Sequence, residues 1–256
     1  MMDMGARLVE CVHLDDQHVV MALEAPEIAE SALPGQFVMI GVSEGTDPLL
    51  RRPFGIMDAS PPLVHVYFQV VGAGTRILAD RRPGDRIPVL GPLGKGFPDA
   101  CGRSILAVAG GRGIAPLVFA LKHYRRNNHV SLLYGSRCAA LLHLRDRIDK
   151  LGLDATNFCT ECGDFGNRGL VTDTLTDMLA TSGADMTISC GPHAMLAELA
   201  TRLEKGATED YMSAEALMGC GFGACHSCVI PAAAGGYLRV CKDGPVFSRR
   251  EVLWRT

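Results

Sequence analysis

No stretch of this chain approaches 18 consecutive apolar residues, and its first sixteen, MMDMGARLVECVHLDD, carry acids early and no apolar run. The first absence argues against a membrane-spanning helix, the second against a secretory signal. The expected compartment is the reducing cytoplasm, where thiols stay free or bind metal rather than pair as disulfides. Blocks of one charge are missing too: the formal net charge is −3, and the arginine pairs at 51–52, 81–82, 125–126 and 249–250 are scattered. Such a surface has no electrostatic footprint for nucleic acid, so no nucleic-acid partner is expected. What remains is 256 residues with 48% hydrophobic content, enough for two ordinary domains and a small module.

Cysteine is plentiful, at ten residues, and four of them stand in a diagnostic order. Cys220, Cys225, Cys228 and Cys241 read Cys-x4-Cys-x2-Cys-x12-Cys, the spacing that wraps one loop around a plant-type [2Fe–2S] cluster. Gly221, Gly223 and Ala224 fit the crowding of a backbone laid against inorganic sulfide. Zinc also accepts four thiolates, but zinc sites usually show two short Cys-x-x-Cys knuckles rather than three ligands in one glycine-laced loop and a fourth alone. A Rieske centre would need two histidines, and His226 is read as a solvent-facing residue of the loop.

The chain divides into three segments. Residues 1–100 hold short β-rich runs such as HVVMALEA, GQFVMIGV and LVHVYFQVVG, punctuated at Pro34–Gly35, Pro61–Pro62 and Pro83–Gly84, which predicts a small antiparallel barrel. Residues 101–210 switch to an α/β pattern: a strand ILAVA, a helix APLVFALKHYRR, a strand HVSLLYG and a helix AALLHLRDRIDKL. A weaker strand follows near 155–160, then MTISC and a helix over about 192–205. That alternation predicts a doubly wound parallel sheet. Residues 211–256 form a cysteine module too small for its own core, so a bound cluster is expected to help fold it.

Three further motifs carry chemistry. Gly110, Gly111 and Gly113 lie in AGGRGIAPL, after a strand and before a helix, where backbone N–H groups can approach a pyrophosphate. A plain strand-to-helix turn remains the alternative. Arg52 with Pro53, Phe54 and Gly55 can present a guanidinium to phosphate, or form a solvated loop. Gln69, Val70 and Val71 run into Gly74 and Thr75, which suits either a hairpin or a phosphate cradle.

Together these motifs resemble the electron-transfer subunits of the NAD-dependent type of dihydroorotate dehydrogenase, a branch of the ferredoxin reductase superfamily. The resemblance covers essentially the whole chain and rests on RRPFGI, VVGAGT, GPLGKGF at 91–97, GGRGIAPL, Cys190-Gly191-Pro192, SAEALMGCGFGACHSC and VCKDGPVF. It implies FAD at Arg52, Pro53, Phe54, Gly55, Gln69 to Val71, Gly74 and Thr75. It implies NAD at 110–113 and at Cys190, Gly191 and Pro192, and a [2Fe–2S] cluster on the four cysteines. It also implies an FMN-containing catalytic partner that oxidises dihydroorotate to orotate in pyrimidine biosynthesis, in a heterotetramer with two subunits of each kind.

Because nicotinamide exchanges electrons in pairs and a cluster passes them singly, a flavin must stand between them. The expected role is thus an oxidoreductase subunit for electron transfer. The alternatives are a similar subunit serving another NAD(P)-linked oxidoreductase, or a zinc-stabilised binding protein.

Several positions depart from the family pattern. Gly55 stands where serine is usual, Arg112 where an aliphatic residue is usual, and Cys162 where an acid is common. Cys159 and Cys162 read as two free thiols rather than as a redox or metal site. Ser136-Arg137, at the end of HVSLLYG, leaves NAD against NADP open locally, and NAD is the expected choice.

Overall fold

The computed structural model describes residues 2–43, 45, 47–204, 206 and 208–255. Its first unit is the expected barrel, built from β1 (Met2–His13), β2 (His18–Glu24), β3 (Phe37–Ile40), β4 (Arg52–Ser60), β5 (Leu63–Gln69) and β6 (Arg86–Leu93). The strands close antiparallel in the order β1-β2-β5-β4-β3-β6, with β6 returning to β1. Two short helices, α1 (Pro26–Ser31) and α2 (Ala73–Ala79), lie in its connections.

The barrel interior follows a period of two, as alternating strand side chains require. Leu8, Val19, Met21, Leu23, Val38, Ile40, Phe54, Ile56, Val64, Val66, Phe68, Ile87 and Val89 pack in one cluster. The outer faces of β2 and β3 are also apolar because neighbours cover them. Val20 and Tyr67 join the core of the α/β unit, while Phe37, Met39 and Leu90 join that of the cysteine module.

The α/β unit comprises β7 (Ser104–Gly110), α3 (Ile114–Tyr124), β8 (His129–Ser136), α4 (Arg145–Asp149), β9 (Ala155–Thr160), β10 (Asn167–Arg168), α5 (Val171–Ser182), β11 (Met186–Cys190), α6 (His193–Leu203) and β12 (Glu209–Ser213). The module adds β13 (Val229–Pro231), β14 (Tyr237–Arg239) and β15 (Val246–Ser248). The sheet runs β10-β9-β8-β7-β11-β12-β15, parallel except for β15. The chain moves from β7 outward through β8 to β10, then crosses back to β11 on the other side. The switch point therefore lies between the ends of β7 and β11.

α3 is buried on nearly every side because it is sandwiched between the sheet and the barrel. Phe119 reaches into the barrel cluster, a burial worth about 1.5–3 kcal/mol. Lys122 Nζ donates to both Asp58 carboxylate oxygens at 2.8 and 2.9 Å and to Ser60 Oγ at 2.7 Å, tying the two units together.

The structure differs from the sequence pattern at two elements, and β12 straddles the expected 210/211 division. The run 139–151 is not one helix: Leu142 and Leu144 turn inward with His143 between them, so only 145–149 is α-helical. α5 gives no clear signal in the sequence because its polar spacing, VTDTLTDMLATS, masks the inward Val171, Leu175 and Met178. The 210/211 division falls inside β12, whose whole length pairs with β11.

The module is anchored from two directions. Cys228, Val240, Cys241 and Phe247 share a core with Phe37, Met39, Leu90 and Leu93 of the barrel. Arg249 Nε donates to the buried Asp210 carboxylate at 2.9 Å, where Thr187 and Thr208 also donate.

Candidate functional site

The cysteine loop is shaped by residues that only glycine can be. Gly221 and Gly223 have φ of +82° and +89°. A Cβ on Gly221 would lie 2.4 Å from Met39 Cγ, so the loop sits directly on β3 of the barrel. His226 also adopts a positive φ, 58°.

The four thiols fall into two pairs. Cys228 Sγ and Cys241 Sγ are 3.2 Å apart, and the Cys220 and Cys225 thiols lie within hydrogen-bonding reach of each other. A tetrahedral zinc needs four sulfurs about 3.8 Å apart around one point, from Zn–S bonds of about 2.3 Å. Among the described residues, these thiols form no group of three within 4.8 Å. Two pairs suit a binuclear cluster, with two thiolates for each iron.

Backbone N–H groups also point at the sulfurs: those of Ala224 and Cys225 reach Cys220 Sγ at 3.3 and 3.4 Å, and that of Cys220 reaches Cys225 Sγ at 3.4 Å. Ser227 pulls the Cys225 thiol down to about 6, first through its hydroxyl and then its N–H. At Cys220 burial opposes ionisation, but the N–H groups of Cys225, Phe222 and Ala224 outweigh it and lower the pKa. Burial, reinforced by Cys228, pushes Cys241 up to about 12, so a metal bound there would have to displace its proton.

One strand away lie the residues of RRPFGI, which from Arg52 onward form the start of β4 rather than a solvated loop. Met39, against Gly221, is the cross-strand partner of Pro53, and Ile40 that of Arg52. Arg52 extends over the first turn of α2, where a Cβ on Gly74 would stand 2.7 Å from its Nε and 2.9 Å from its Cζ. Thr75 fixes that turn by accepting from the N–H groups of Val71 (2.9 Å) and Gly72 (3.2 Å). Phe54 spends its side chain on the barrel core, 5.0 Å from the Phe68 ring, which leaves its backbone for a ligand. Gly55 lies against α3: a Cβ there would be 3.2 Å from Pro116 Cβ. Serine at this position would press on the interface between the units, a physical reason for glycine.

The switch point opens into a cleft of about 920 Å³. Gly110 and Gly111 at the end of β7, Ser136 and Arg137 at the end of β8, Glu161 after β9 and Pro192 after β11 face it from the sheet. Asp15, Gln17, His18, Tyr67 and Gln69 face it from the barrel. The two sides are joined by Arg112 Nη1, which donates to Gln69 Oε1 at 3.0 Å, and within the barrel Gln69 Nε2 in turn donates to Gln17 Oε1 at 2.9 Å.

The glycines at the switch point divide their labour. A Cβ on Gly113 would meet the Cys190 carbonyl at 2.3 Å, and one on Gly110 or Gly191 would meet the Met195 side chain at 2.5 or 2.4 Å. These three let the ends of β7 and β11 pack together. Gly111 has φ +51° and open space at its Cβ position, so it leaves its backbone approachable. Cys190 is 2% exposed, and burial raises its pKa well above the ordinary thiol range.

Residues 215–253 match the iron–sulfur cluster binding domain of dihydroorotate dehydrogenase B, and residues 107–201 match the oxidoreductase NAD-binding domain. The chain is 36% identical over 241 residues to the dihydroorotate dehydrogenase B (NAD(+)) electron transfer subunit of Desulforamulus reducens, covering 91% of this chain and 92% of that one. It is 38% identical over 243 residues to the same subunit of Geobacillus thermodenitrificans, with 91% of each covered. The chain belongs to this family of electron transfer subunits. It is an oxidoreductase subunit with an iron–sulfur binding domain and an NAD-binding domain, and its relatives' name implies a catalytic partner.

Among solved structures, a chain of the NADH-dependent reduced ferredoxin-NADP oxidoreductase superposes with a TM-score of 0.86 at 26% identity, covering 98% of this chain and 90% of its own. A ferredoxin NADP+ reductase from Neisseria gonorrhoeae gives 0.64 at 19% identity over 80% of this chain and 92% of its own, which shows the shared fold.

Of the residues singled out in the sequence, Gln69, Gly110, Gly111 and Pro192 line the cleft, and Arg52, Gly74 and Thr75 gather at α2. Cys159 is fully buried while Cys162 is exposed, so the Cys-x-x-Cys pair splits across the sheet end. Asp15, His18 and Glu161 were missed. They carry no motif, and only the closing of barrel and sheet brings them to the cleft.

Proposed function

We propose that the chain receives electrons at its four-cysteine loop from an FMN-containing subunit that oxidises dihydroorotate to orotate, and delivers them by way of FAD to NAD+ in the cleft. The FAD supplies the exchange between single electrons on the cluster side and paired electrons on the nicotinamide side.

Arg52, held by Gly74, is assigned to the flavin's negative charge. The Pro53, Phe54 and Gly55 backbone, with Gln69, Val70, Val71 and the Thr75-fixed turn, complete the flavin residues. Gly111 is assigned to the dinucleotide by its open backbone, and Gly110, Gly113, Cys190, Gly191 and Pro192 by the close packing that shapes the switch point. Cys220, Cys225, Cys228 and Cys241 are the cluster ligands.

The observation that carries the reading is the seat of the cysteine loop: Gly221 rests on Met39, whose strand partner is Pro53, so cluster loop and flavin residues are neighbours. Exposed apolar side chains around that loop, Leu217, Phe222, Val229 and Tyr237, support docking of the catalytic partner there. The assembly is proposed to be a heterotetramer with two subunits of each kind. No described helix is long and apolar enough to cross a membrane, and cytoplasmic residence is proposed.

The test is reconstitution with the FMN partner. Dihydroorotate-dependent reduction of NAD+ is expected with both subunits and with neither alone. Orotate formation that proceeds with dyes while NAD+ stays unreduced in the mixed complex would contradict the role.

A further inference from the structure

We propose that Asp15, His18 and His143 form a divalent-metal site of the zinc class at the rim of the cleft, clasping the barrel to the α/β unit. Asp15 stands on the β1–β2 turn, His18 opens β2, and His143 lies on the segment before α4. One ligand atom from each lies within 4.8 Å of the other two. His18 Nδ1 is 2.9 Å from Asp15 Oδ1, and His143 Nε2 is 3.1 Å from Asp15 Oδ2.

The decisive observation is His143 Nε2. The side chain is 8% exposed, and this nitrogen's one polar neighbour is the Asp15 carboxylate, which it approaches without a well-aligned hydrogen bond. A buried imidazole nitrogen facing a carboxylate without a well-aligned hydrogen bond is costly unless something else occupies its lone pair. Here it points into a space shared with a second imidazole, itself 7% exposed, and a carboxylate.

The donors are also held in place. Asp15 Oδ1 accepts from the N–H groups of Gln17 and His18, both at 2.7 Å, and the His18 ring stacks on Tyr67 with centroids 5.9 Å apart. Fixed outer contacts of this kind orient metal ligands.

Two imidazoles and one carboxylate form a borderline donor set that suits zinc or its neighbours and leaves a fourth position for water. Calcium and magnesium favour oxygen ligands, and this site offers one carboxylate. Zn–N bonds of about 2.0–2.1 Å place tetrahedral ligands about 3.3 Å apart, within a few tenths of an ångström of the two aspartate–histidine separations of 2.9 and 3.1 Å. The ligands come from both units, so a bound ion would stiffen the cleft beside the Gln17–Gln69–Arg112 chain.

The experiment is a Co2+ titration of chelator-washed, FAD- and cluster-loaded protein, with Zn2+ as competitor. One equivalent should give visible d–d bands without the intense charge-transfer band of thiolate ligands, and Zn2+ should abolish them. His143→Ala and Asp15→Asn should each weaken binding at least tenfold, while the surface variant His123→Ala should not. Absence of the bands in the wild-type protein, a thiolate spectrum, or equal binding by His143→Ala would overturn the site. If His143→Ala does not fold, the wild-type spectrum alone decides.

Discussion

Gly74→Ala separates flavin binding from folding more cleanly than removal of any charged group. Gly74 is the second residue of α2, where alanine is favoured over glycine by up to about 1 kcal/mol, so the helix itself gains. The new methyl would stand 2.7–2.9 Å from Nε, Cζ and Nη2 of Arg52, closer than real contacts allow. A guanidinium at the end of a flexible side chain swings away at small cost, so global stability should be unchanged or slightly raised.

The loss falls on the ligand. If Arg52 holds FAD as proposed, its displacement from the turn forfeits a charge-assisted hydrogen bond, worth about 1.5–3 kcal/mol, or roughly 10- to 150-fold in FAD affinity. Titration of flavin-free protein with FAD, followed by fluorescence quenching, measures it. Arg52→Ala should show a similar loss, and the double variant little more than either, because both changes remove one interaction. Wild-type FAD affinity in Gly74→Ala, with Arg52→Ala impaired, would refute the coupling.

Three other outcomes are expected. Cys241→Ser should lose the reduced-cluster paramagnetic signal and make the segment from 211 onward more susceptible to protease; a normal signal would remove Cys241 from the ligand set. Asp210→Asn leaves Arg249 buried without its charge partner and should cost about 3–5 kcal/mol in denaturant unfolding, whereas a change under 1 kcal/mol would mean the pair does not anchor the module. Burial holds His65 below its ordinary value of 6.5, with Asp58 and Glu10 opposing and Arg147 and Lys122 adding to the effect. The unfolded chain therefore takes up that proton first as pH falls, so stability drops from about pH 6.5 downward, and His65→Gln should flatten this slope between pH 7 and 5.5. An unchanged slope would assign the acid sensitivity elsewhere.

The elements that could be read from sequence are those whose physics is local. The barrel interior announces itself by alternation, and the proposed cluster ligands by a spacing that suits one loop around two irons. The β7 and β11 turns show as glycines, although sequence could not say that Gly110, Gly113 and Gly191 serve packing while Gly111 stays open. α5 was hidden because its threonines and aspartates dilute the apolar face that the sheet buries. The run 139–151 misled because its leucines suit a helix in isolation, while burial of Leu142 and Leu144 breaks it into a 3-10 turn over 139–141 and a short helix over 145–149. His143, His18 and Asp15 could not be found at all: more than 120 residues separate the β1–β2 turn from its partner, and only the docking of two units joins them.

The most direct test of the central claim is anaerobic reduction of the isolated, reconstituted chain by NADH, followed optically and by paramagnetic resonance. The account predicts FAD, iron and inorganic sulfide near 1:2:2, bleaching of the flavin by NADH, and a one-electron signal from the reduced cluster that Cys225→Ser abolishes while flavin bleaching persists. Zinc in place of iron, or a flavin and cluster that both stay oxidised under excess NADH, would contradict it.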